Sequence, residues 1–114
     1  MPHRQILKFI LDIEAVIAEI EQLQNFCDNR FDRFVINPLA IRASERLLEI
    51  IGEAVNQMRK IDPKVKLSNT VEIVGLRNKI VHAYDSIDPA LLWGIIIEDI
   101  PILKSEIQQL KGKN

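Results

Sequence analysis

Apolar residues recur every three or four positions along almost the whole 114-residue chain, and no stretch alternates with the two-residue period of a strand. A chain patterned this way has one architecture open to it, helices burying their stripes against one another. The first stripe is Ile6, Phe9, Ile10, Ile13, Val16, Ile17, Ile20 and Leu23, which predicts a helix from about His3 to Asn25. Asp12, Glu14, Glu19 and Glu21 fall largely off that stripe. The next stretch, FCDNRFDRFVIN, has no long period and reads as a connector with one short helical turn.

Start and stop signals divide the remainder. Asn37-Pro38 opens a second helix: Asn caps free amides, and Pro suits the first helical position, where its missing N–H leaves nothing unpaired. That helix is expected to bury Ala43, Leu47, Ile50, Ile51, Ala54 and Met58. Arg42, Glu45, Glu49, Glu53 and Asn56 form the opposite polar stripe, and Asp62-Pro63 ends the helix. A third helix is predicted from Ser68-Asn69, with Glu72 in capping-box spacing after Asn69, and it continues through VEIVGLRNKIVHAY. A fourth starts at Asp88-Pro89 and runs to about Leu110, with a kink expected at Pro101 and a frayed KGKN tail. The expected fold is all-α, an antiparallel four-helix bundle with a kinked last helix, as a single domain over residues 1–114.

Composition narrows the function. The chain is 47% apolar with a formal net charge of −1, which excludes a disordered chain and a broadly basic nucleic-acid coat. No uninterrupted apolar run is long enough to span a membrane, and the acid-rich N-terminal stretch does not read as a signal peptide. The lone Cys27 cannot form an intrachain disulfide; it fits a reducing, cytoplasmic setting and reads as a small packing residue. A domain this small buries only about two-thirds of its unfolded surface, so part of the apolar surplus is expected on a homodimer interface. Trp93 and the four phenylalanines read as core or interface.

The polar residues that interrupt the third helix carry the chemistry. Asn78 and His82 are four apart and share a face, with Gly75 and Val71 extending it. Arg77 and Tyr84 are seven apart on the adjacent face. Arg77 and His82 stand about 140° apart around an ideal helix, so the length of the arginine is needed for both to reach one phosphate. Charge is also segregated. Lys64, Lys66, Arg77 and Lys79 against Glu72 give residues 64–84 a net of +3, and residues 85–100 carry four acids and no cation. The basic segment is a candidate phosphate contact within a nearly neutral protein.

Attack of the RNA 2′-hydroxyl on its own phosphate needs a base, an acid and a cation. Histidine serves both proton steps near neutral pH, arginine clamps a phosphate gaining charge, and asparagine orients either. His3 is terminal, so a two-histidine mechanism requires His82 from each of two subunits; one histidine acting in turn is the alternative. Read from spacing alone, the same residues also suit an inert polar network between helices, and Arg-x4-His is a weak pattern. No metal-ligand spacing, phosphate-binding glycine loop or nucleophile elbow is present, and no cofactor is expected.

The segment RNKIVHAY, followed by DSIDPALLWGIIIEDIPILKSEI, resembles the HepT-like ribonucleases of the HEPN superfamily. Arg77, Asn78, His82 and Tyr84 match their Arg-x4-His-x-Tyr signature, with Ala83 where many relatives carry Gly. RASERLLEIIGEAV resembles the family's second long helix, and Asp99-Ile100-Pro101 its Asp-Leu-Pro-like element. The resemblance implies an all-α homodimer whose motif helices meet at a cleft. It implies a metal-independent endoribonuclease with Arg77 and His82 catalytic; beside it, the residue chemistry makes Asn78 the substrate-orienting residue and the basic segment makes Lys64, Lys66 and Lys79 candidate RNA contacts. It further implies the toxin of a toxin–antitoxin module, whose MntA-type nucleotidyltransferase partner transfers AMP to Tyr84. A non-catalytic adaptor that docks such a nucleotidyltransferase, and a purely structural dimerisation bundle, are the competing readings.

Overall fold

A computed structural model describes residues 2–65, 67 and 88–113. Among these residues the structure is helical, with no strand. Helix α1 spans Pro2–Phe26, α2 spans Phe31–Val35 and α3 spans Pro38–Ile61. After residues 68–87 the chain continues as α4 (Pro89–Gly94), a π turn (Ile95–Asp99) and α5 (Ile100–Lys113) without interruption. The expected third helix, from Ser68 through Tyr84, lies outside the described residues.

Helix α1 forms where its stripe predicts it. Ile6, Ile10, Ile13, Val16, Ile17, Ile20 and Leu23 are all buried, and Phe9 is half-buried against the same core. Each such side chain contributes about 1.5–3 kcal/mol on leaving water, so α1 is held by its packed face rather than by helix propensity. Among the described residues its principal neighbour is α3. The reversal between them needs two left-handed residues, and the chain supplies Asp28 (φ 54°) and Asn29 (φ 53°), the residue types that tolerate this best. The Asn29 N–H donates to the Gln24 carbonyl at 2.7 Å and closes the end of α1. The single short turn expected in the connector is α2, and Cys27 packs in the core as expected.

Asn37 caps α3 as predicted: its Oδ1 accepts from the N–H groups of Leu39 and Ala40, each at 3.1 Å. Of the six residues expected in the core of α3, Ile51, Ala54 and Met58 are buried, but the buried face is shifted away from Ala43, Leu47 and Ile50. Ala40, Ser44, Leu48, Ile51, Val55 and Met58 are buried together with Gly52 and Ala54. Leu47 and Ile50 are half-buried, and Ala43 is exposed. The sequence pattern hid this shift because α3 is apolar over a wide arc and Ser44 reads as polar. Ser44 is fully buried, and its hydroxyl meets its own need by donating to the Ile41 carbonyl at 2.7 Å. Of the four phenylalanines read as core or interface, Phe34 is fully buried, Phe9 is half-buried, and Phe26 and Phe31 are exposed.

The last helical run shows how Pro101 is accommodated. The proline has no N–H, and in a regular α-helix its ring would collide with the carbonyl four residues back. The turn before it widens instead: the Ile100 N–H donates to the Ile95 carbonyl, five residues back. This π turn also sets the phase. Leu92, Ile96, Ile100, Leu103 and Ile107 are all buried, although a uniform helix would drift by about 60° over their fifteen residues. The run extends to Lys113, beyond the expected end near Leu110, so the Lys111-Gly112-Lys113 tail is helical rather than frayed. Two ion pairs fix its direction. Lys104 Nζ meets Glu21 at 2.7 Å and Lys111 Nζ meets Glu14 at 3.0 Å, so seven residues forward along α5 are seven back along α1. The two helices are antiparallel. No helix among the described residues is long and apolar enough to cross a membrane.

Candidate active site

Arg77, Asn78, Lys79, His82, Tyr84 and Lys66 lie outside the described residues. The framework that holds the two ends of their segment is well defined. At the first end α3 stops at Asp62, whose N–H donates to the Met58 carbonyl at 2.9 Å. The Asp62 side chain then builds a turn: its carboxylate accepts from the Lys64 N–H at 3.0 Å, and its carbonyl accepts from the Val65 N–H at 3.1 Å. Lys64 is exposed, the placement a phosphate contact needs. Val65 packs at the margin of the core, and Leu67 is buried in it.

At the second end Asp88 caps α4, with its Oδ1 accepting from the Ala90 N–H at 2.9 Å. Pro89 occupies the first position of the helix, as the sequence predicts. Leu92 is fully buried one turn on, and Trp93 stacks against Phe34 and Phe31 of α2. Residues 68–87, which carry the whole motif, are therefore bracketed by Leu67 in the core and by the capped start of α4.

A groove of about 510 Å³ lies elsewhere on the described surface, between α1 and α3. Phe9, Val16 and Ile50 give it apolar walls; Asp12, Glu19, Glu49 and Glu53 face it with Arg46 as its one cation. Arg46 pairs with Glu49 at 3.3 Å, and Gln57 donates to Glu53 at 2.9 Å. Four carboxylates around one guanidinium repel phosphate, so the groove does not suit an RNA backbone. Sequence reasoning placed Glu49 and Glu53 on a solvated polar stripe and did not foresee a groove. The signal was present in the half-apolar neighbours Ile50 and Phe9. Among the described residues no group of three or more His, Cys, Asp or Glu is arranged to hold a metal ion.

Comparison with known proteins bears on residues 16–110, which match the family model "Ribonuclease HepT-like" and include the entire Arg77–Tyr84 motif. The chain is 36% identical over 112 residues to the "Putative RNase MJ1380" of Methanocaldococcus jannaschii, covering 95% of this chain and 98% of that protein. It is 36% identical over 104 residues to the "Putative RNase TTE0752" of Caldanaerobacter subterraneus subsp. tengcongensis, covering 89% and 92%. It is 32% identical over 108 residues to the "Probable ribonuclease HepT" of Thermococcus cleftensis, covering 90% and 93%. No solved structure was found to match the chain. A family match over most of the chain, with relatives aligned nearly end to end, places this protein in the HepT-like ribonuclease family.

Proposed function

We propose that the protein is a metal-independent endoribonuclease and the toxin of a two-component toxin–antitoxin module, acting in the cytoplasm as a homodimer. One observation carries the reading: residues 77–84 spell Arg-x4-His-x-Tyr inside the family match, and the relatives sharing that match are named as ribonucleases. His82 takes the proton from the RNA 2′-hydroxyl. The 2′-oxygen then bonds to phosphorus, and the 5′-oxygen leaves with a proton from an acid, His82 in turn or the second subunit's copy. The products are a 2′,3′-cyclic phosphate and a 5′-hydroxyl. Arg77 stabilises the phosphate as it gains charge, and Asn78 orients it. Lys64, Lys66 and Lys79 contact the backbone on either side.

Control falls to a nucleotidyltransferase of the MntA type. It transfers AMP from ATP to the Tyr84 hydroxyl, releasing pyrophosphate. The added bulk and negative charge beside Arg77 exclude RNA phosphate.

The test is cleavage of RNA by purified protein in the presence of chelator, with end-group analysis of the products. The expected result is a cyclic or 3′-phosphate end, lost in Arg77→Ala and His82→Ala variants that keep the wild-type helical signal. Cleavage surviving both substitutions overturns the assignment. Incubation with the nucleotidyltransferase and ATP should add the mass of AMP to wild type and not to Tyr84→Phe.

A further inference from the structure

Charge is sorted along the pair of long helices. α1 and α3 are 25 and 24 residues long, and Phe26 and Pro38 line one hollow where the chain reverses between them. The return of α3 along α1 therefore brings its last turn beside the first turns of α1. At that far end residues 2–10 and 55–65 hold Arg4, Lys8, Arg59, Lys60 and Lys64 against one acid, Asp62. All five cations are exposed. The rest of α1, residues 11–26, carries four acids and no cation.

Neutralisation is sorted in the same way. Arg30, Arg33, Arg46, Lys104 and Lys111 each meet a carboxylate elsewhere on the molecule. At the basic end Lys8 meets Asp12 at 2.9 Å, but Arg4, Arg59, Lys60 and Lys64 form no ion pair among the described residues. Helix electrostatics account for only part of this. Arg59 and Lys60 lie in the last turn of α3, where the helix dipole favours cations. Arg4 and Lys8 lie at the start of α1, where the dipole disfavours them, and the first turn of α1 holds no acid in compensation.

We propose that this basic end is a second phosphate-binding surface, which grips the RNA backbone beyond the bond that is cut. The proposal rests on the ribonuclease reading. Two observations favour RNA over other anionic surfaces. Lys64 belongs both to this end and to the basic segment of residues 64–84, so a backbone that reaches Lys64 lies next to Lys60, Arg59 and Arg4. A membrane-binding surface combines cations with apolar side chains that enter the lipid. Among the described residues no exposed large apolar side chain lies within 2–10 or 55–65, and Leu11, the first along α1, stands alone. The consequence is a dependence on RNA length, because only a strand long enough to leave the cleavage site reaches the extra cations.

The experiment measures binding of two oligouridylates, of about 4 and about 16 nucleotides, the span of site sizes on small single-strand binders, to the full chain carrying His82→Ala. Fluorescence anisotropy at rising salt gives the affinity and its slope for each. The longer RNA is expected to bind at least about tenfold tighter, with a slope steeper by about 2 for the unpaired cations Arg4, Arg59 and Lys60. The triple variant Arg4→Gln, Arg59→Gln, Lys60→Gln should lose that extra slope, and the double variant Arg4→Lys, Arg59→Lys should keep it. Arg42→Gln, which removes an exposed and unpaired cation near the start of α3, should leave it unchanged. Circular dichroism and thermal melting check that each variant keeps the wild-type fold. Equal slopes for the two RNAs, or a folded triple variant that holds the longer RNA as tightly as its parent, overturns this surface and leaves the ribonuclease reading standing. Binding to vesicles of anionic lipid that is lost in the triple variant, with the RNA slopes unchanged, assigns the cations to a membrane and overturns it as well. Wild type that neither binds nor cleaves RNA of either length removes the ribonuclease reading and this proposal with it.

Discussion

The ring centroid of Trp93 lies 4.9 Å from that of Phe34, with the ring planes inclined by 34°. This contact joins two short helices that could not persist in isolation, the five-residue α2 and the six-residue α4. Phe34 is fully buried beneath the indole, so it closes the core where α1 turns into α3 and anchors the start of α4 there. Removing the Phe34 ring should therefore cost about 3–5 kcal/mol, much of the stability of a small domain. Urea unfolding of Phe34→Ala is expected to show a midpoint lowered accordingly. The fluorescence of Trp93, the one tryptophan, should shift to the red in the folded baseline.

Asn37 satisfies two amides at the start of α3 with one oxygen. Asn37→Ala should cost about 1 kcal/mol, and Asn37→Asp should keep the cap and gain from its charge at the positive end of the helix dipole. Chemical denaturation at neutral pH orders the three proteins as Asp at or above Asn, and Asn above Ala. Equal stability of the alanine variant would show that the cap is not holding the helix end.

These two cases mark what could be read from residues alone. Caps were legible because they are local: Asn37-Pro38, Asp62-Pro63 and Asp88-Pro89 each sit where a helix starts or stops. The α1 face was legible because its apolar stripe is narrow and its acids lie outside it. The α3 face was legible only in part, at Ile51, Ala54 and Met58. Apolar residues cover too wide an arc there for period alone to choose between Leu47 and Leu48, and the choice is made by packing against α1. Exposure of Phe26 and Phe31 could not be read either, because nothing local tells an aromatic ring at a helix end whether a neighbour covers it. The disruption expected at Pro101 takes the form of a π turn, which residues alone did not specify: the proline demands a local change, and the pattern of residues does not say which. The motif of residues 77–84 is legible as chemistry only, through residue types and spacing, and lies outside the described residues.

Gly94 ends α4 in an ordinary helical conformation, φ −57° and ψ −43°, and a methyl group there would meet nothing within 4 Å. The glycine adds chain entropy to the unfolded state without a folded-state need for it. Gly94→Ala should stabilise the protein by about 0.5–1 kcal/mol, a rise of a few degrees in melting temperature. Differential scanning calorimetry checks it, and a lowered melting temperature would mean the added methyl is felt by the π turn.

Burial, and secondarily the neighbouring Asp28 carboxylate, push the Cys27 thiol above its ordinary pKa. The thiolate is the reactive form, so folded protein at neutral pH should react with a disulfide reagent only as fast as Cys27 becomes exposed. The linkage has a definite sign. Between the unfolded and the raised folded pKa the native state holds the proton more tightly, so this residue makes stability fall as pH rises through that alkaline window. Cys27→Ala should flatten that part of the stability–pH curve. Rapid labelling at neutral pH, without denaturant, would show the thiol to be accessible.

If RNA is held by the cations of residues 64–84, its affinity should depend only shallowly on salt. Four cations on one copy correspond to a slope of about −3 in log affinity against log salt for a single strand, and both copies together to about twice that. Lys64 is the member whose surroundings are described: it is exposed, and its backbone N–H is held by Asp62 while its side chain has no structural duty among the described residues. Lys64→Gln should therefore reduce the slope by about 0.7 per engaged copy and weaken binding evenly across RNA sequences, with the maximal cleavage rate unchanged. Fluorescence anisotropy with catalytically inactive His82→Ala protein, from 50 to 300 mM salt, would give the slopes (these settings are on the order used to resolve such terms). An unchanged slope in Lys64→Gln would remove Lys64 from the RNA path. A slope much steeper than twice the one-copy value would require phosphate contacts beyond this segment.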